Sequence, residues 1–92
     1  MLFRSVWPAG DREVYHAILY LEPLDWRNRR ALGYDMHTES VRASAMDRAE
    51  RTGEPAMTGR VILVQETERD RQPGFLVFLP VYGQARKLLG FV

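Results

Sequence analysis

The side chains capable of chemistry in this sequence are sparse and mostly isolated. His16 and His37 stand far apart along the chain, with no Cys or further His at the spacing of a metal site. Hydrogen bonding by the imidazoles, not metal ligation, is what that spacing supports. Ser40, Ser44 and Thr58 are hydroxyls without the strained Gly-x-Ser-x-Gly turn or an assignable base, so they lack what activates a nucleophile. Gly53-Glu54-Pro55 and Gly83-Gln84 are turn chemistry, shorter than the Gly-rich loop that feeds a helix and cradles phosphate. Arg42 offers a guanidinium fork suited to a carboxylate or phosphate. The alternative is a structural ion pair with Asp35 or another loop acid, since Arg is seldom buried alone. Asp35 is either a receptor for an amine or, just after the helix-ending Gly33, a turn-stabilising acceptor. Tyr34 and Tyr82 either wall a pocket with rings and hydroxyl donors or sit at core edges with satisfied hydroxyls. The inventory supports binding and not catalysis: no enzyme, no metal and no cofactor are expected.

Charge narrows the partners. The 92 residues carry 13 Lys or Arg, all but Lys87 being Arg, against 12 Asp or Glu, for a net charge of +1. Nucleic-acid binders concentrate a basic excess that displaces counterions from phosphates, and the one local cluster, Arg27, Arg29 and Arg30, reads as a solvated helix face. No nucleic acid is expected. Zero Cys excludes disulfides and thiolate metal sites. A mean hydropathy of −0.32 is that of a globular chain, and its longest apolar runs, such as 75–81, are far shorter than the ~20 residues of a spanning helix. Residues 1–92 therefore form a single domain with one modest core.

The elements that must position these side chains follow from turn and periodicity signals. Leu2–Trp7 reads as a strand, Pro8-Ala9-Gly10-Asp11 as a reversing loop and Glu13–Leu21 as a second strand ended by Pro23, which predicts a hairpin. Asp25 or Asn28 opens a short helix that Gly33 closes. Thr38 opens a second helix, with Glu39 favourably placed against its dipole and Val41, Ala45, Met46 and Ala49 as its apolar stripe, ending at Thr52-Gly53. Met57–Glu66, Gly74–Tyr82 and Lys87–Val92 are three consecutive antiparallel strands. Two strands, two helices and three strands predict an α+β fold. If the last strand pairs with the first, the result is a PAS-like five-stranded antiparallel sheet in the order 2-1-5-4-3, with both helices between strands 2 and 3.

A set of short motifs carries a family resemblance: Tyr20-Leu21-Glu22-Pro23-Leu24; Asn28 with Ala31-Leu32-Gly33-Tyr34-Asp35-Met36; Arg42, Ala45, Ala49 and Thr52-Gly53; Leu63-Val64-Gln65-Glu66; and Gly74-Phe75-Leu76 leading to Pro80-Val81-Tyr82. In this order and spacing the chain resembles the CHASE domain, the extracytoplasmic sensory module of bacterial histidine kinases and cyclases and of plant cytokinin receptors. The resemblance implies an input domain held between two transmembrane helices, of which this chain is the membrane-distal PAS-like portion. The stalk helix, the membrane-proximal part, the membrane spans and a catalytic output domain would lie elsewhere in a longer receptor. A periplasmic location follows from it.

The family's pocket carries over in part. Where the cytokinin-binding branch reads adenine with an Asp near the start of the long helix, this chain has Arg42, a cation with several donors in place of an acceptor. Thr58 matches a pocket Thr and Val64 a main-chain contact, while Phe78 replaces a second Thr. The resemblance therefore implies a ligand site of Arg42, Thr58, Val64 and Phe78, to which residue type adds Tyr34 and Tyr82 as candidate aromatic walls. It implies a small-molecule ligand other than cytokinin, an anion if Arg42 faces the pocket. Alternation along the strands puts Thr58, Ile62 and Val64 on one face and Val61 and Leu63 on the other. Leu76, Phe78 and Tyr82 oppose Phe75, Val77, Leu79 and Val81 in the same way. Both faces are apolar while two helices cover one, so a homodimer or other self-association over the Phe75, Val77 and Leu79 face is expected. A structural and dimerisation module that has lost its pocket is the competing reading.

Overall fold

Glu39, not Thr38, opens the long helix. Its backbone is extended and its carboxylate accepts the amide hydrogens of Val41 and Arg42, two of the donors that a helix start leaves without partners. Thr38 instead ends a 3-10 turn, Met36–Thr38, whose N-cap is Asp35. The computed structural model describes residues 6–22, 25–62 and 73–92. The expected strand residues Leu2–Ser5 and Leu63–Glu66, and with them Val64, lie outside these.

The fold is α+β. Helix α1 (Trp26–Arg29) is a single turn, started by Asp25, whose Oδ1 accepts the Asn28 amide at 2.8 Å. Helix α2 (Ser40–Thr52) ends at Gly53, whose φ of 73° gives the left-handed cap that a Cβ would strain. It buries Arg42, Ala45, Met46 and Ala49, the apolar stripe with one cation added. Among the described residues α2 is the one α-helix longer than a turn, and no helix is long and apolar enough to cross a membrane.

Three antiparallel segments form the larger sheet region. Strand β1 (Ala56–Met57) pairs with β4 (Val77–Phe78), and β2 (Val61–Ile62) with β3 (Pro73–Gly74). Strand β5 (Pro80–Tyr82) pairs with β6 (Leu88–Phe91), and Leu79 and Val92 extend that ladder by exchanging two bonds of 2.9 Å. This is the 3-4-5 run of the expected order. Between the first two ladders, Thr58, Gly59 and Arg60 stand opposite only Phe75 and Leu76. The additional residue is a β-bulge, which shifts side-chain alternation by one position. Thr58 and Val61 consequently share the buried face, while Ile62 is exposed. The expected grouping of Thr58 with Ile62 is corrected for that reason.

The N-terminal region differs more. The described part of the first strand and the second strand are not joined to each other by a ladder; both flank residues 33–36. Trp7 bridges Tyr34 in parallel and Ala17 bridges Asp35 antiparallel. Trp7 N donates to Gly33 O, Asp35 N to Trp7 O, Ile18 N to Tyr34 O and Met36 N to His16 O. The Asp35 carboxylate draws the two flanks together, accepting from His16 N and His37 N at 2.9 and 3.1 Å and from Arg12 Nε at 2.9 Å. A segment expected to be only a turn thus occupies the place where the hairpin partner was expected. Pairing of the first strand with the last is not among the ladders of the described residues, so the five-stranded order 2-1-5-4-3 stands only as far as its 5-4-3 part.

The core lies between α2 and this sheet region. Ala45, Met46, Ala49, Ala56 and Phe78 are its buried members, with Met36, Leu76 and Phe91 packed against them. Phe78 and Phe91 meet edge to face at 5.9 Å, a favoured ring geometry. Three alanines let the helix sit close to the sheet, which leaves the open volume at one end of the helix, toward residues 15–21.

Candidate ligand-binding site

A cleft of about 680 Å³ opens between residues 15–21, α2 and strands β4 and β6. Its volume is in the range of small-molecule sites. Ile18, Met46, Leu76, Phe78 and Phe91 supply apolar wall, and His16 and Arg42 supply charged or titratable groups. Period-two alternation places Leu76 and Phe78 on this face, helical spacing brings Arg42 and Met46 to the same side of α2, and the bridge from Ala17 to Asp35 holds the third wall.

Arg42 is 4% exposed. Its Nη1 donates to Glu39 Oε1 at 3.0 Å and its Nη2 to the carbonyl of Ile62 at 2.8 Å. Its guanidinium carbon lies 5.8 Å from the centre of the Tyr34 ring, within cation–π range. Its Nε is buried without a hydrogen-bond partner, the one such side-chain atom among the described residues. The structural partner of Arg42 is therefore Glu39, not Asp35. Burial pushes the Glu39 carboxyl upward, but the amides of Val41 and Arg42 and the guanidinium outweigh it, leaving the group below the ordinary carboxylate range. Because both terminal nitrogens are engaged, the fork that would clamp a carboxylate or phosphate already has partners.

The other candidates fall in different places. Phe78 lines the cleft. Thr58 does not: it is buried, its Oγ1 accepts the Leu76 amide at 2.9 Å, and it borders a smaller groove of about 280 Å³ with Ser40 and Ser44 on the far side of the helix. Tyr34 packs against Trp7 at 4.7 Å, beneath Arg42. The Tyr82 hydroxyl donates to the Glu50 carbonyl at 3.5 Å, near the C-terminal end of α2. Neither tyrosine lines the cleft. Arg42 and Phe78 are thus brought together, while Thr58, Tyr34 and Tyr82 surround the helix at three other points.

His16, to which its residue type gave only a hydrogen-bonding role, also lines the cleft. Its ring meets Phe91 edge-on at 5.2 Å and His37 at 5.6 Å, while His37 Nε2 lies 2.8 Å from Asp47 Oδ1. Burial, and then the neighbouring His37, push His16 below the ordinary imidazole value. Asp35 is pushed upward by its own burial and more strongly downward by the His16 and His37 amides and by Arg12, so it is a charged strut for the turn and not an open receptor for an amine. Its partner Arg12 carried no signal in the sequence, being one arginine of many at no special spacing. Among the described residues no three His, Asp or Glu side chains converge as a metal would need.

The model of the CHASE domain matches residues 2–92. No curated protein matches the chain.

Proposed function

Because the chain belongs to the CHASE domain family, an extracellular sensory domain of receptors, we propose that it senses a small molecule in the cleft between residues 15–21, α2 and β4–β6, as the periplasmic input domain of a bacterial transmembrane receptor. The receptor is of the histidine kinase or cyclase type, anchored in the membrane by segments outside the described fold. Binding biases a two-state receptor only if the ligand prefers one state. The cleft is suited to that role: it is bounded by separate chain segments, so a ligand that bridges them couples helix, sheet and N-terminal region.

The observation that carries this reading is the apolar cleft of about 680 Å³ with Arg42 and His16 in its wall. A thermal-shift screen of organic acids, amino acids, purines and neutral heterocycles tests it. A ligand at a hundred times its Kd adds about 2.7 kcal/mol, and each kcal/mol moves the Tm by about 4–8 °C in a domain of this size. The reading predicts at least one hit that loses its effect in Phe78→Ala or Leu76→Trp protein. Absence of any hit among those classes counts against it.

A second reading has its own observation. Met57, Phe75, Val77 and Leu79 are all at least 46% exposed and alternate on the outward face of the meander, which favours a structural and dimerisation module. Light scattering over a concentration series should then show a dimer that Val77→Lys weakens. A monomer at all concentrations removes this reading and leaves the first intact.

A further inference from the structure

Among the described residues, the polar side chains of the cleft wall are Tyr15, His16, Tyr20 and Arg42, and three of them are engaged elsewhere. The Tyr15 hydroxyl accepts the Arg12 amide and donates to the Gly10 carbonyl, the Tyr20 hydroxyl donates to Glu22, and Arg42 is bound to Glu39 and to the Ile62 carbonyl. His16 differs. Its backbone amide is fixed by Asp35 and its ring stands edge-on against Phe91 in the same wall, yet neither ring nitrogen has a hydrogen-bond partner and neither is sealed from solvent.

The charges around this ring are largely matched with one another. The segment from Asp35 through the 3-10 turn brings Asp35 itself, which holds Arg12, and His37, which meets Asp47 of α2. Helix α2 also brings Glu50, and Arg42 of the same wall is paired with Glu39. Strand β6 brings the Phe91 ring and no charge. Burial, and after it His37, outweigh the pull of Asp35, Glu50 and Asp47, so the ring is held below the ordinary imidazole value and is neutral at pH 7.5.

Resting on the sensing role proposed above, we infer that His16 is the polar contact through which the cleft selects an uncharged ligand, and that this ligand and a proton exclude each other at the His16 ring, so that acid empties the site. A neutral molecule seated against His16 and Phe91 takes the remaining water from the ring, and an imidazolium without water or a counter-charge is strongly disfavoured. A carboxylate would do the reverse and draw a proton onto the ring. It would, however, stand close to Asp35, Asp47 and Glu50, against walls of Ile18, Met46, Leu76 and Phe78 that do not replace the water it gives up. A hydrocarbon would cover the ring and leave both nitrogens unpartnered. The ligand therefore carries an uncharged hydroxyl, amide or azole able to bond a neutral imidazole, which offers one donor and one acceptor.

Benzyl alcohol and benzoate test the inference, because they share a ring and one substituent carbon while the first is uncharged throughout. Binding to the 92-residue chain is read in the amide signals of Ile18, Leu76 and Phe91, and the His16 titration in its carbon-bound ring protons. Saturating benzyl alcohol is expected to move the His16 midpoint to lower pH. Its Kd should rise about twofold at the midpoint of the free chain and about tenfold one pH unit below it, the change that exclusion of one proton requires. At pH 7.5 benzoate should bind more weakly than benzyl alcohol. His16→Phe should remove most of the pH dependence while the cleft amides still respond; if that variant does not fold, the midpoint shift and the pH dependence of the unaltered chain decide alone. A His16 midpoint unmoved or raised by benzyl alcohol, or tighter binding of benzoate at pH 7.5, overturns the inference while leaving a ligand site in place. Cleft amides that respond to neither probe overturn the inference and the sensing role together.

Discussion

Arg42 Nη1 donates to Glu39 Oε1 at 3.0 Å, and that same oxygen accepts the Arg42 amide at 3.1 Å while its twin accepts the Val41 amide at 2.6 Å. One carboxylate thus caps the helix and neutralises the cation that the helix buries. Glu39→Ala removes both functions and leaves a buried guanidinium unmatched, so urea unfolding should show a loss of about 2–4 kcal/mol. Glu39→Gln retains an acceptor for the amides and should lose roughly half as much. Equal losses for the two variants would mean that the charge, and not the cap, carries the effect.

Acid should act in two steps. His16 has a lowered folded value, so the unfolded chain takes its proton first. The contribution of His16 is whole above about 6.5 and is lost as the pH falls from there through the folded value. Asp35 and Glu39 are also lowered, so their contributions are whole above about 4 and disappear as the pH falls through their folded values. A Tm profile from pH 8 to 3 should show both losses. His16→Phe, which keeps a ring against Phe91 but cannot titrate, should remove the first and spare the second. A Tm profile between pH 7 and 5 that is unchanged by His16→Phe would contradict the assignment.

Much of this architecture was legible in local signals. The α2 stripe of Ala45, Met46 and Ala49, the Gly53 cap and the inward set of Leu76 and Phe78 follow from periods of 3.6 and 2.0, which depend on backbone geometry alone. What was hidden depends on single atoms at long range. Asp35 gathers His16, His37 and Arg12 from both sides in sequence, and no pattern of residue types announces that three donors will meet at one carboxylate. The bulge at Thr58–Arg60 was equally silent, although Gly59 is the kind of residue that permits one, and it reversed the faces of Val61 and Ile62. The position of Arg42 on the cleft side of α2 follows from helical spacing, but its fork being held by Glu39 and Ile62 is a fact of packing.

Thr58 has a structural task that a conservative variant can isolate. Its amide donates to Leu76 O at 2.8 Å and its Oγ1 accepts the Leu76 amide at 2.9 Å, so the hydroxyl replaces a ladder bond that the bulge has displaced. Thr58→Val keeps shape and removes the acceptor, leaving a partly buried N–H unpaired. Stability should fall by about 1–3 kcal/mol, and the Leu76 amide should exchange with solvent faster than its neighbours. Thr58→Ser should retain that protection. Unchanged exchange at Leu76 in the Val variant would show that the hydroxyl does not hold the bulge.

The turn that delivers β6 to the cleft is built on two residues poorly suited to it. Ala85 and Arg86 have φ of 56° and 57°, the left-handed region in which a Cβ crowds the backbone at a cost of roughly 1–2 kcal/mol per residue. The turn is closed nonetheless, with Gly83 N donating to Lys87 O at 2.8 Å and Lys87 N to Gln84 O at 3.2 Å, because the β5–β6 ladder on either side fixes its ends. Replacing Ala85 by Gly relieves the crowding and gives back about 0.5–1 kcal/mol through the entropy of the unfolded chain. The net expectation is a gain of about 0.5–1 kcal/mol, read as a higher urea midpoint at unchanged slope. Ala85→Asn should follow Gly, since Asn tolerates this region better than Ala. Ala85→Val should fall below the unaltered chain, because a β-branched residue is the least tolerant of a positive φ. An inverted order, with Val above Gly, would require the backbone of this turn to lie on the other side of the Ramachandran map, and with it a different course for the strand that carries Phe91 into the cleft.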